Sequence, residues 1–253
     1  MKILLSPAKS LDFERTVPNF TFEQPEFMLQ SERIMKVLVK KNPKKLKDLM
    51  GISEKLAELN WQRNQDWYVD FSQKESRPAV FAFTGDVYQG LDVDQLSEQD
   101  LEYLQLNLMI LSGLYGILKP FDFILPYRLE MGTKLKVGTR KNLYELWKPI
   151  LTKYVKSACD SQEDFILNLA STEYSKAVDL KKMNVPVINA QFKDYKNGQL
   201  KMISFFAKKA RGLMLRYCAN NKITTIEQLK GFDLDGYAFD SNLSDENNLI
   251  FTR

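Results

Sequence analysis

Six strings in this chain carry side chains able to do chemistry. Ser6-Pro7-Ala8-Lys9 has the Ser-x-x-Lys spacing of acyl-enzymes in which a lysine activates a serine. The partner motifs Ser-Asp-Asn and Lys-Thr-Gly do not occur, and Ser6 before Pro7 is also good helix-start chemistry, with Lys9 left as an anion ligand. Phe83-Thr84-Gly85-Asp86-Val87-Tyr88 offers Asp86 as a general base, a metal ligand or a turn aspartate bonding its own backbone. In Asn168-Leu169-Ala170-Ser171-Thr172-Glu173-Tyr174, Ser171 fits an N-cap and Glu173 a first-turn carboxylate or a cleft acid. Ser204-Phe205-Phe206-Ala207-Lys208-Lys209-Ala210-Arg211-Gly212 puts three cations within four positions. At helical spacing Lys208 and Arg211 share a face and Lys209 points elsewhere. A lysine among other cations titrates lower and can act as base or nucleophile.

The fifth string joins Leu111-Ser112-Gly113-Leu114-Tyr115-Gly116 to Pro126-Tyr127-Arg128-Leu129-Glu130-Met131-Gly132. Its glycines fit neither a P-loop nor a dinucleotide fingerprint. Tyr127 and Arg128 are of the types that stack on bases or pair with phosphate. The sixth, Leu46-Lys47-Asp48-Leu49-Met50-Gly51-Ile52-Ser53-Glu54-Lys55-Leu56-Ala57, resembles a helix-hairpin-helix, with Met50 where that motif has Pro and Ser53 where it has a second Gly. Gly51 would make the turn, Ile52 anchor it and Ser53 cap the second helix, whose N-terminus suits a phosphate. Lys44, Lys45, Lys47 and Lys55 surround it.

The 253 residues contain no histidine and only two cysteines, Cys159 and Cys218. That excludes Ser-His-Asp and Cys-His catalysis, His-ligated zinc or haem, and a four-thiolate metal centre built by this chain. The expectation is no metal and no cofactor, with any chemistry run by carboxylates, Lys, Tyr, Ser or Arg. No apolar run approaches the roughly 20 residues of a membrane span, and the N-terminal apolar stretch is short for a signal peptide, so a reducing cytoplasm is expected.

Net charge is +4, unevenly distributed. Arg33 to Lys47 holds seven basic residues and no acid; Lys181 to Lys222 holds ten against Asp194 alone; Gly231 to Arg253 holds five acids against one Arg. Such runs are solvated faces or the footprint of a polyanion.

Four apolar runs read as buried strands that end in small or polar residues: Ile3–Leu5, Ala79–Phe83, Leu108–Leu111 and Phe165–Leu169. Between them lie helical patterns. Gln95–Leu106 carries a Ser97-x-x-Asp100 cap, and Asn142–Ala158 has an apolar face from Leu143 to Val155. Lys196-Asn197-Gly198 reads as a hairpin turn, a helix follows over Phe206–Ala219, Thr224 and Glu227 form a capping box, and Tyr237–Asp240 with Leu249–Thr252 forms a last hairpin. The expectation is an α/β (α+β) fold: one compact domain over residues 1–253, a mixed sheet flanked by helices, and a helix-hairpin-helix insert at about 33–68. Parallel neighbouring strands would gather the polar ends into one cleft.

Together these strings, with Ile3-Leu4-Leu5 before Ser6 and Gly212 after Arg211, resemble the YaaA family of bacterial peroxide-stress proteins from end to end. The resemblance implies survival of hydrogen peroxide, limitation of the iron that drives oxidative DNA damage, and DNA binding through a helix-hairpin-helix and a basic cleft in an unusual α/β fold. It carries no established reaction. The helix-hairpin-helix falls on Leu46–Ala57 and the cleft takes Lys9, Asp86, Tyr127, Arg128, Lys208, Lys209 and Arg211. The leading expectation is a cytoplasmic protein that holds duplex or branched DNA by its phosphates, with no membrane and no obligate protein partner. Its contacts would be Lys44, Lys45, Lys47, Gly51, Ser53 and Lys55, joined by the cleft cations and Tyr127. The alternative is an enzyme acting on a nucleic-acid base, nucleotide or phosphorylated compound, with Asp86 or Glu173 as acid/base and Lys9 or Lys208 as nucleophile or anion ligand. A third reading gives ferrous iron to Asp86, Glu130 and Glu173, which lack a ligand spacing.

Overall fold

The computed structural model describes residues 1–159 and 164–253. Among them, eight strands form the main sheet: β1 (Lys2–Leu5), β2 (Leu108–Ser112), β3 (Gly116–Leu118), β4 (Ile166–Asn168), β5 (Val187–Lys196), β6 (Gln199–Lys201), β7 (Ala238–Phe239) and β8 (Asn248–Thr252). The order is β7-β8-β5-β4-β1-β2-β3, with β6 hairpinned onto β5. The five central strands are parallel, and β3, β6 and β7 run antiparallel at the margins.

Parallel strands are covered on both faces and so read as continuous apolar runs. Ile3, Leu4 and Leu5 are fully buried, as is all of β2. The long β5 instead alternates, burying Ile188, Ala190, Phe192 and Asp194 in turn. The β5–β6 turn uses Asn197 and Gly198, both left-handed, as expected. The last hairpin also forms, between β7 and β8.

The main helices are α1 (Met28–Leu38), α2 (Pro43–Met50), α3 (Glu54–Asp66), α4 (Asp86–Leu91), α5 (Glu98–Asn107), α6 (Leu143–Ser157) and α7 (Ser204–Asn220). Helix α5 starts on the expected Ser97/Asp100 capping box. Helix α6 buries Leu143, Trp147, Leu151 and Val155 at four-residue steps, and the Trp147 indole donates to the Gly113 carbonyl (2.9 Å) beyond the end of β2.

Three expectations change. Ala79–Phe83 is not a sheet strand. Ala79–Ala82 is one buried helical turn, and Phe83–Thr84 makes a two-residue pairing with Ser10–Leu11. A five-residue apolar run fits a buried helical turn as well as a strand. The capping box lies one residue on, at Thr225 and Gln228. Pro7 starts no helix; extended chain follows β1.

Among the described residues no helix is long and apolar enough to cross a membrane.

Candidate functional site

Strand β1 sits between β2 and β4, which follow it in sequence but lie on its opposite sides. A sheet whose connections part in this way opens a crevice beyond the carboxyl ends of its strands. Here that crevice is a cleft of about 670 Å³, lined by the chain after β1, the chain after β4, the start of α4 and the first turns of α7.

The strand ends are sewn together first. The Ser171 amide donates to Ser6 Oγ (2.9 Å), the two hydroxyls are 3.3 Å apart, and the Tyr88 hydroxyl donates to the Ser6 carbonyl (3.1 Å). Lys9 leaves Ser6 for Glu130, at 2.8 Å. The serine is therefore a strand-end clasp and not half of a Ser–Lys pair. Glu130 also receives Arg128 (2.9 Å), and Glu173 Oε1 accepts the Gly132 amide (2.8 Å). These contacts tie the 128–132 segment to the rim of the cleft.

Asp86 opens α4, and its position depends on α7. At their crossing Gly90 and Gly212 let the backbones touch. A Cβ on Gly212 would stand 1.8 Å from the Val87 carbonyl oxygen, and one on Gly90 2.2 Å from that of Lys209. Arg216 closes the contact by donating to the Leu91 carbonyl (2.8 Å) and pairing with Asp92 (2.6 Å). The crossing places Asp86 3.9 Å from Lys208 Nζ, with Arg211 one turn further along α7. Gly212 entered the sequence reading only as the end of the Lys208–Arg211 string, and Gly90 and Arg216 did not enter it; isolated glycines inside helical patterns were the available signal.

Among the described residues Arg211 makes no ion pair or hydrogen bond, and burial lowers its pKa. Guanidinium stays protonated all the same. The cleft thus holds a desolvated cation with no carboxylate of its own, flanked by Lys208, Lys9, Asp86 and Glu173. Its lining is mixed in charge, not uniformly basic.

The other expected residues fall elsewhere. Tyr127 is 6% exposed and lies in the core, its hydroxyl 2.6 Å from Ser112 Oγ and its ring against Tyr115. It has no face to offer a base, and burial pushes its pKa well up. Arg128 is half-buried at Glu130, with its Nε unpartnered. Lys209 turns to Asp235 (3.5 Å), as the helical spacing anticipated.

Lys44, Lys45, Lys47, Gly51, Ser53 and Lys55 do not line the cleft. They belong to the pair α2–α3. Asn42 caps α2 by accepting the Lys45 amide (2.9 Å), and Pro43 occupies the first turn. Gly51 ends α2 with φ +62°, where a Cβ would meet nothing, so glycine is there for its backbone angle. Ile52 is buried beneath the turn, and Ser53 Oγ caps α3 by accepting the Leu56 amide (3.3 Å). Lys44 and Lys45 are exposed in the first turn of α2, at the other end of that helix from Gly51, and Lys55 is exposed at the start of α3; Lys47 lies 3.6 Å from Glu54.

Among the described residues no three of Asp, Glu and Cys gather as a metal-holding group. Asp86, Glu130 and Glu173 instead engage Lys208, Lys9 with Arg128, and the Gly132 amide.

A family profile described as peroxide stress protein YaaA matches residues 1–243. The chain belongs to the peroxide stress protein YaaA family. A "UPF0246 protein" of Flavobacterium johnsoniae is 54% identical over 253 residues, all of both chains. One of Aliivibrio fischeri (strain MJ11) is 48% identical, over all of this chain and 98% of its own. A third, of Colwellia psychrerythraea, is 47% identical over all of this chain and 99% of its own. In this member of the YaaA family the cleft and the helix pair are separate surfaces.

Proposed function

We propose that this protein acts in cytoplasmic peroxide defence by binding duplex or branched DNA through its backbone phosphates, and so helps limit iron-dependent oxidative DNA damage. The observation that carries the reading is the α2–α3 turn. Gly51 and Ser53 stand exposed there, Lys55 follows in the first turn of α3, and Lys44 and Lys45 open α2 about 10 Å away along its axis, none of the three lysines in an ion pair among the described residues. The Gly51 and Ile52 amides are taken by the Lys47 carbonyl, so the amides that would meet a phosphate are those at the start of α3, which with exposed lysines hold it without reading bases. The family name supplies the peroxide context. The physical link to iron is displacement: lysines that neutralise phosphates release the cations condensed on them, and ferrous iron on DNA is such a cation.

The test is equilibrium binding of a fluorescent duplex at low salt. The wild-type chain is expected to bind at micromolar concentration or tighter, and Lys44→Glu with Lys45→Glu to weaken binding about tenfold or more. No binding by the wild-type chain, or unchanged binding by the double variant, contradicts the reading.

The cleft supports a second reading, an enzyme acting on a nucleotide or other phosphorylated compound. Arg211 favours it: a desolvated, unpaired cation lining the same cleft as Asp86 is suited to a phosphate held near an acid/base. Glu173 would be the other acid/base candidate, with Lys9 and Lys208 as anion ligands or nucleophiles.

A further inference from the structure

Helix α6 has a second face. Opposite the buried row from Leu143 to Val155, its outward positions carry Lys148, Lys153 and Lys156, all exposed. A groove of about 690 Å³ runs beside this face, closed by Arg140 before the helix and by Lys182 across from it. Its two carboxylates are engaged: Glu145 accepts the Lys141 amide (2.8 Å), and Asp179 lies 3.6 Å from Lys182. A second hollow of about 560 Å³ shares Arg140 and Pro149 with the first and is lined by Arg33 and by Lys36, which pairs with Glu32 at 2.8 Å. Helix α1, which supplies Arg33 and Lys36, leads directly into the α2–α3 pair.

We infer that this double groove is a binding site for the phosphate backbone of duplex DNA. The inference rests on the DNA-binding reading above and names a surface that reading does not contain. Lys153 and Lys156 are three apart and repel across one helical turn, so the fold gains nothing from placing that pair together. Among the described residues Arg33, Arg140, Lys148, Lys153 and Lys156 have no ion-pair partner, whereas Lys209, Arg216 and Lys222 on α7 and just after it are each paired with a carboxylate. The span from Lys148 to Lys156 is about 12 Å at the rise of an α-helix. A duplex presents about seven phosphate charges over that length, enough to engage every cation of the groove. The two hollows together are lined by seven cations against two carboxylates, whereas the cleft has three against two, a poorer fit to an unbroken backbone.

The experiment compares the wild-type chain with Lys148→Gln/Lys153→Gln/Lys156→Gln and with the same three positions changed to Arg, using a fluorescent 20-base-pair duplex across a salt series. These side chains are exposed, and circular dichroism verifies that each variant is folded. The Gln variant is expected to bind about tenfold more weakly at low salt, with the slope of log K against log salt shallower by about 2–3, while the Arg variant keeps the wild-type slope. A Gln variant that binds like the wild-type chain overturns the groove and leaves the DNA-binding reading standing. A wild-type chain that does not bind overturns both.

Discussion

Arg211 is a charge that the fold desolvates and then leaves alone. Such a group costs stability unless a ligand supplies the counter-charge. Arg211→Met is therefore expected to leave thermal stability unchanged or raised. It should weaken binding of a nucleoside 5′-monophosphate in the cleft about tenfold or more, the loss of one charge-assisted contact. Calorimetry reads both, and a destabilised variant with unaltered nucleotide binding contradicts the role. Asp122 shows the opposite economy. It is buried, accepts the Lys119 amide (2.8 Å), and burial pushes its pKa up to about 7. A carboxyl raised on folding binds more protons in the native than in the unfolded state between the two pKa values. Its contribution is complete below the unfolded pKa near 4 and is lost as pH rises through about 7, by up to about 4 kcal/mol. Asp122→Asn, which cannot ionise, should lose less stability than wild type between pH 5 and pH 8 in denaturant titrations; parallel pH profiles would contradict the assignment. At this scale sequence separated Lys208 and Arg211 from Lys209 by helical spacing alone. It did not separate Tyr127 from Arg128, because neighbouring residues in an extended loop can face core and rim by turns.

Among the elements, the α4–α7 crossing does most to assemble the cleft. Gly212→Ala inserts a methyl 1.8 Å from a backbone oxygen, so the helices must part. Overpacking of this kind costs about 3 kcal/mol or more and also moves Asp86 off Lys208. Denaturant unfolding checks it; a variant within about 0.5 kcal/mol of wild type contradicts the close contact, since that is the ordinary range of neutral substitutions. Strands β1, β2 and β4 were legible because burial on both faces leaves unbroken apolar runs, and the β5–β6 and β7–β8 hairpins from their turns and flanking residues. Ala79–Ala82 carries the same signature in a helical turn, and only tertiary packing distinguishes the two. The Ser97 cap and the Asn197-Gly198 turn were legible because each rests on local chemistry.

Over the whole molecule, charge along the chain and charge in space diverge. The basic stretch from Lys181 to Lys222 looked like a polyanion footprint, yet Lys209, Arg216 and Lys222 meet Asp235, Asp92 and Asp100 from distant segments. The acidic tail folds back in the same way, with Arg253 held between Asp194 and Asp235 at 2.6 Å from each. Among the described residues the stretch from Arg33 to Lys47 stays largely uncompensated, with only Lys36 and Lys47 near carboxylates, and α6 adds lysines scattered along a helix whose dominant sequence pattern is its apolar face. Backbone binding of DNA by these surfaces is the function proposed above. The most direct test is the salt dependence of wild-type binding to two duplexes of unrelated sequence. Equal affinities are expected, micromolar or tighter at low salt, with log K falling linearly against log salt at a slope steeper than about −3. No binding at low salt, or affinity that depends on sequence and ignores salt, would contradict it.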